Sequence, residues 1–171
     1  MANLLRGGKG RPLHPALVHF PIALYPTSLL FDWLSHLVND GNTFVKGAFS
    51  LILAGLAVSV AAVATGVADF LHIDAESRTW KVAVTHMTLQ LVTGGLFVAN
   101  LILRGRDLDV TASAVGPMVL SAAAVVTLAV GGLLGSDLVY RHGLRVERSP
   151  VTLAAPREEP PPAREEHAAH S

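Results

Sequence analysis

Apolar residues in this chain fall in long blocks, and charged residues mark where the blocks end. No Asp, Glu, Lys or Arg occurs in residues 12–31, 47–68, 82–103 or 110–136, windows of 20, 22, 22 and 27 residues. About 20 apolar residues in helical conformation cross a hydrocarbon core of roughly 30 Å, so this pattern predicts transmembrane helices. The spans are expected at about 15–37, 44–69, 82–103 and 114–140. Pro15 suits a first helical turn, whereas Pro21 and Pro26 are expected to bend the first helix and Asp32 interrupts its apolar run. Residues 70–81, with Trp80, read as a re-entry loop at the membrane interface. Residues 104–109 carry four charges in six positions and read as a short turn between antiparallel neighbours.

The inward faces follow from small and polar residues, because the lipid-facing side of a membrane helix is the apolar one. At about 100° per residue, His86, Gln90, Thr93, Phe97 and Asn100 share one stripe of the third helix. Ala48, Gly55, Ser59, Ala62, Gly66 and Asp69 form a seam on the second, and Ser121, Ala124, Gly132, Gly135 and His142 on the fourth. Close helix packing by itself accounts for small-residue seams. The third helix differs, since a histidine, two amides and a hydroxyl in one line are costly in hydrocarbon without partners. The predicted fold is all-α: an integral membrane antiparallel four-helix bundle. No repeat of fixed period is visible, and the two helical hairpins show no symmetry in residue identity.

Composition narrows the class. The chain is 51% hydrophobic and 15% charged, too apolar for a soluble domain of 171 residues. Zero net charge argues against nucleic acid as a partner, and the absence of cysteine excludes disulfides, thiolate metal sites, iron–sulfur clusters and covalently attached haem. Residues 1–11 carry Arg6, Lys9 and Arg11 without a cleavage signature, so the first helix reads as an uncleaved anchor. The bundle domain is placed at 12–148. From 149 to 171 the chain has five prolines, four glutamates and no large apolar residue after Leu153, a composition expected to be disordered.

Basic residues set the expected orientation. Arg6, Lys9, Arg11, Arg78, Lys81, Arg141, Arg145 and Arg148 fall on the side of both termini, and Lys46, Arg104 and Arg106 on the other. That bias puts both termini in the cytoplasm. Tyr25, Trp33, Trp80 and Tyr140 read as interface anchors.

The eight histidines are distributed unevenly. Span order sends His14, His19, His72, His86 and His142 towards one membrane face, together with Asp69 and Asp137, and only His36 towards the other. Interfacial snorkelling accounts for histidines at helix ends, but His19 and His86 lie inside the predicted spans, where ionisable residues are functional by default. Two imidazoles at matched depth on different helices suit haem ligation, transition-metal binding or proton relay. The candidate ligands are His19 and His86 first, then His14 and His142; Asp69, Asp137 and Gln90 are candidates for orienting them. His14 and His19 lie about 140° apart on a helix and do not face one ligand together. No nucleophile motif, phosphate-binding glycine loop or paired catalytic acids appear.

The segment from His14 to Leu24, His-Pro-Ala-Leu-Val-His-Phe-Pro-Ile-Ala-Leu, together with Gly66, Asp69, His86 and the stretch from Gly132 to Gly143, resembles a bacterial membrane-protein family. That family is catalogued as domain of unknown function 2231, and the resemblance covers about residues 12–146. It implies a protein of the bacterial cytoplasmic (inner) membrane. Histidine placement is similar to that of cytochrome b561-type bundles, an analogy of fold that implies haem b. The leading expectation is therefore a haem-binding electron-transfer module without substrate chemistry of its own, in contact with the lipid bilayer and a membrane redox partner. The alternatives are a structural or sensory membrane subunit, and a metal- or proton-handling protein using the same histidines.

Overall fold

A computed structural model describes residues 12–146. Its elements are α1 (Leu13–Ser35), α2 (Asn42–Phe70), α3 (Arg78–Arg104) and α4 (Val115–Tyr140), with no strand among the described residues. Each helix lies within a few residues of its expected span. The largest difference is at the start of α3, where the Ser77 hydroxyl accepts a hydrogen bond from the Trp80 backbone N–H and caps the helix. Trp80 and Lys81 therefore belong to the first helical turn, and only residues 71–77 connect α2 to α3. The basic segment 1–11 and the tail 149–171 lie outside the described residues.

At 1.5 Å per residue, helices of 23 to 29 residues reach roughly 35 to 43 Å, enough to cross a bilayer. By length and composition α2, α3 and α4 are apolar enough to do so. In α1, His14, His19, Pro15, Pro21, Pro26 and Asp32 dilute the apolar content. That helix takes its place by packing along the whole of α2. Its polar inner positions are satisfied there: the Tyr25 hydroxyl shares a hydrogen bond with the Ser59 hydroxyl at 3.0 Å, and Ser28 and Ser35 bond back to carbonyls of their own helix.

Packing is closest within two hairpins, α1 with α2 and α3 with α4; the hairpins then meet along α2/α3 and α1/α4 to close a four-helix ring. Tyr25, Ile52, Phe97, Ala124 and Leu128 form its core. Tyr25 is buried there, with its ring stacked on Phe97 at 3.9 Å, so it is a core residue and not the interface anchor its type suggested.

The hairpins are related by an approximate twofold rotation about the bundle axis, which residue identities conceal. Buried positions of α1 recur in α3 at an interval of 72: Pro21 and Thr93, Tyr25 and Phe97, Ser28 and Asn100, Asp32 and Arg104. Between α2 and α4 the interval is 69, relating Ala48 to Pro117, Ile52 to Ser121, Gly55 to Ala124 and Ala62 to Gly131. The correspondence is one of burial and geometry. Pairs such as Asp32 and Arg104 have opposite chemistry, which is why no repeat is visible in the sequence.

Candidate functional site

The twofold relation brings two histidines together at one end of the bundle. His14, in the first turn of α1, gives its Nδ1 proton to the Ala62 carbonyl of α2 at 2.8 Å. His86, early in α3, gives its Nδ1 proton to the Gly131 carbonyl of α4 at 2.7 Å. Donor and acceptor in the first bond correspond to donor and acceptor in the second by the same pair of intervals. Because a carbonyl oxygen only accepts, each Nδ1 carries a proton, and Nε2 is the nitrogen on each ring that these bonds leave uncommitted. The ring centroids are 6.4 Å apart across the diagonal between α1 and α3, with planes at 89°.

Glycine makes room for both rings. A Cβ on Gly66 would come within 2.9 Å of His14 Cε1, and one on Gly135 within 3.0 Å of His86 Cε1. Gly132, placed on the inner seam by its sequence spacing, has nothing within 4 Å of such a Cβ; Gly131 holds the inner position, packed against the Gln90 amide. Gln90 thus lies beside the carbonyl that orients His86.

The remaining candidates are dispersed. His19 is exposed on the outer face of α1, so the histidine brought opposite His86 is His14. His142, just beyond α4, bonds through Nδ1 to the Thr79 hydroxyl at 2.8 Å. His72 donates to the Ala68 carbonyl of the turn before it. Asp69 pairs with Arg145 at 3.4 Å and Asp137 with Arg141 at 3.4 Å, so backbone carbonyls, not carboxylates, orient the central imidazoles. Among the described residues no group of three His, Asp or Glu side chains converges as a metal site.

A second polar centre lies at the opposite end and was not legible as a unit in the sequence. Arg104 donates to both Asp32 oxygens, from Nη1 at 2.6 Å and Nη2 at 2.8 Å, while its Nε bonds the Asn100 amide oxygen at 3.1 Å. The Ser113 hydroxyl donates to Asp32 Oδ1 at 2.6 Å, and the Asn100 amide bonds the Pro117 carbonyl and the Ser121 hydroxyl. The side chains of Asp32 and Arg104 are 0% and 2% exposed, so this is a buried ion pair with its remaining hydrogen-bonding groups answered. By its position in the sequence alone, Arg104 reads as a turn charge. The available signal was its place four residues after Asn100 on the polar stripe of α3, combined with a lone acid inside the apolar block of α1.

These two centres differ in what they can do chemically. The ion pair spends its hydrogen-bonding capacity internally, whereas each imidazole of the histidine pair commits only one of its two nitrogens, Nδ1, in these carbonyl bonds. A family model described as predicted membrane protein (DUF2231) matches residues 10–148. No curated protein and no solved structure matches the chain.

Proposed function

The chain belongs to the DUF2231 family of predicted membrane proteins, and we propose that within the membrane it is an electron-transfer module holding a b-type haem between His14 and His86. The observation carrying this reading is the pair of imidazoles, each with Nδ1 committed to a carbonyl and centroids 6.4 Å apart. His14 and His86 would hold the haem iron through their Nε2 nitrogens, their Nδ1 nitrogens being committed to backbone carbonyls. Two nitrogen donors, with no third His, Asp or Glu converging on them among the described residues, suit a centre whose other ligands come from a macrocycle better than a bare ion that needs four.

Held by these two imidazoles, a haem would supply one-electron exchange. The protein's part is to fix the tautomer and direction of both imidazoles, through Ala62 and Gly131, and to admit close approach at Gly66 and Gly135. Both imidazoles are half-buried between the helices. The natural setting is a bacterial cytoplasmic membrane with a membrane-bound redox partner. With Arg104 inside the bundle, the basic bias towards the termini is stronger than the sequence count, which supports cytoplasmic termini.

Oxidised and dithionite-reduced absorption spectra of detergent-purified protein, expressed with ample haem, test the proposal. A Soret band that shifts on reduction and is lost in both His14→Ala and His86→Ala, but kept in His19→Ala, is expected. A colourless folded protein, or a Soret band indifferent to both inward histidines, would refute it.

A further inference from the structure

The ion pair and the histidine pair occupy the same two helices. Asp32 follows His14 by 18 positions and Arg104 follows His86 by 18, about five full turns at 3.6 residues per turn, so each pair faces the same way across the diagonal. Tyr25 and Phe97 stack between them at the same 72-residue interval. The helices α1 and α3 run parallel in different hairpins, and contact between hairpins is sparse compared with contact inside them. Their relative height therefore depends heavily on the side chains that cross the diagonal. A stacked ring pair tolerates sliding, whereas a planar guanidinium bound to both oxygens of a carboxylate fixes position and orientation together.

We infer that Asp32 and Arg104 are positioning residues for the His14–His86 site, locking the axial register of α1 against α3 from the far end of the bundle. Ser113 and Asn100 hold the two partners from α3 and the start of the α4 hairpin arm, so the lock has neither a free oxygen to rotate nor a free Nε. The role towards haem rests on the function proposed above; the register is measurable without any ligand.

The chain contains no cysteine, so nitroxide labels can be placed singly. Leu13→Cys and Leu103→Cys put labels on exposed positions at opposite ends of α1 and α3, a separation lying largely along the bundle axis. Pulsed dipolar spectroscopy of the full chain in nanodiscs, without haem, is expected to give one narrow distance. In Asp32→Asn and Arg104→Gln that distance should broaden or shift by about 1.5 to 5.4 Å, one residue to one helical turn. Arg104→Lys keeps the charge and loses the fork, so it should broaden the distribution while preserving the fold. An unchanged narrow distance in Arg104→Lys and Asp32→Asn would overturn the inference, and Arg104→Lys alone decides if the neutral variants do not fold. With haem added, the same variants should lose part of the low-spin, two-histidine signal. A wild type that takes up no haem but shows the register change would leave the lock standing and remove only the haem reading.

Discussion

His14 and His86 hold the same place in their respective hairpins. Each donates Nδ1 to a carbonyl of the neighbouring helix and each rests on a glycine, Gly66 or Gly135, 69 positions apart. The approximate twofold axis therefore passes between two equivalent donors, an arrangement suited to one group held from both sides.

That equivalence predicts equivalent damage. Gly66→Ala and Gly135→Ala each drive a Cβ to about 3 Å from an imidazole anchored at Nδ1, and the ring must leave its carbonyl or the helices must part. Under the proposed haem reading, both variants should weaken haem binding by a similar factor, while Gly132→Ala, with nothing within 4 Å, should leave it unchanged. Titration with haem, followed by absorption, compares the three. A loss confined to one of the two inward glycines would contradict the symmetry of the site.

How far the sequence disclosed this is instructive at particular positions. Charge-free blocks located all four helices, and the polar stripe of α3 correctly turned Thr93, Phe97 and Asn100 inward. Depth in the span points to His19 as the partner of His86, whereas helical phase, unfixed without the rest of α1, turns His14 towards the bundle and leaves His19 exposed. Asp32 and Arg104 were readable singly as an interruption and a turn charge, but their pairing spans 72 positions and needs the assembled diagonal. The twofold relation was hidden for the same reason: it conserves burial, not residue type.

Midway down the bundle, a Cβ on Gly55 would lie 2.5 Å from the Tyr25 ring, which is trapped between Phe97 and its hydrogen bond to Ser59. Gly55→Ala should destabilise the fold by about 1–3 kcal/mol through overpacking. Gly94→Ala meets open space and should be neutral or favourable by up to about 1 kcal/mol from helix propensity. Thermal unfolding in a single detergent should rank Gly94→Ala at or above wild type and Gly55→Ala well below it; the reverse order would show that Tyr25 is not confined.

Ser113 joins the ion pair from the connection between α3 and α4. Its hydroxyl donates to Asp32 at 2.6 Å, and its backbone N–H reaches the Ser35 hydroxyl at 2.9 Å. Ser113→Ala removes the first bond and leaves the second, so Asp32 keeps Arg104 but one oxygen is under-satisfied in a dry site. The expected cost is about 1–3 kcal/mol. Ser136→Ala, which loses only an exposed bond to its own helix, should stay within about 0.5 kcal/mol of wild type. Equal midpoints for the two variants in denaturant would mean that the Ser113 hydroxyl contributes nothing to the network.

The same connection is tied to the start of α2 in two ways that respond differently to acid. The Asn42 amide donates to the Leu108 carbonyl at 2.8 Å and the Val110 carbonyl at 3.1 Å, bonds with no titrating group. Beside them Lys46 lies 2.7 Å from Asp109, and its hydrogen bond, reinforced by its charge, holds the Asp109 carboxyl below the usual carboxylate range. A carboxyl with its pKa lowered by folding contributes above its ordinary pKa and loses that contribution as pH falls through the lowered value. The pair is exposed, so its part is small and screened by salt. Hydrogen exchange of residues 105–114, corrected for intrinsic rates, should therefore quicken slightly on acidification in wild type, and Lys46→Ala should abolish that dependence. Asn42→Ala should quicken exchange at every pH, because it removes the bonds that acid cannot reach. An acid response surviving in Lys46→Ala would assign it to a carboxylate other than Asp109.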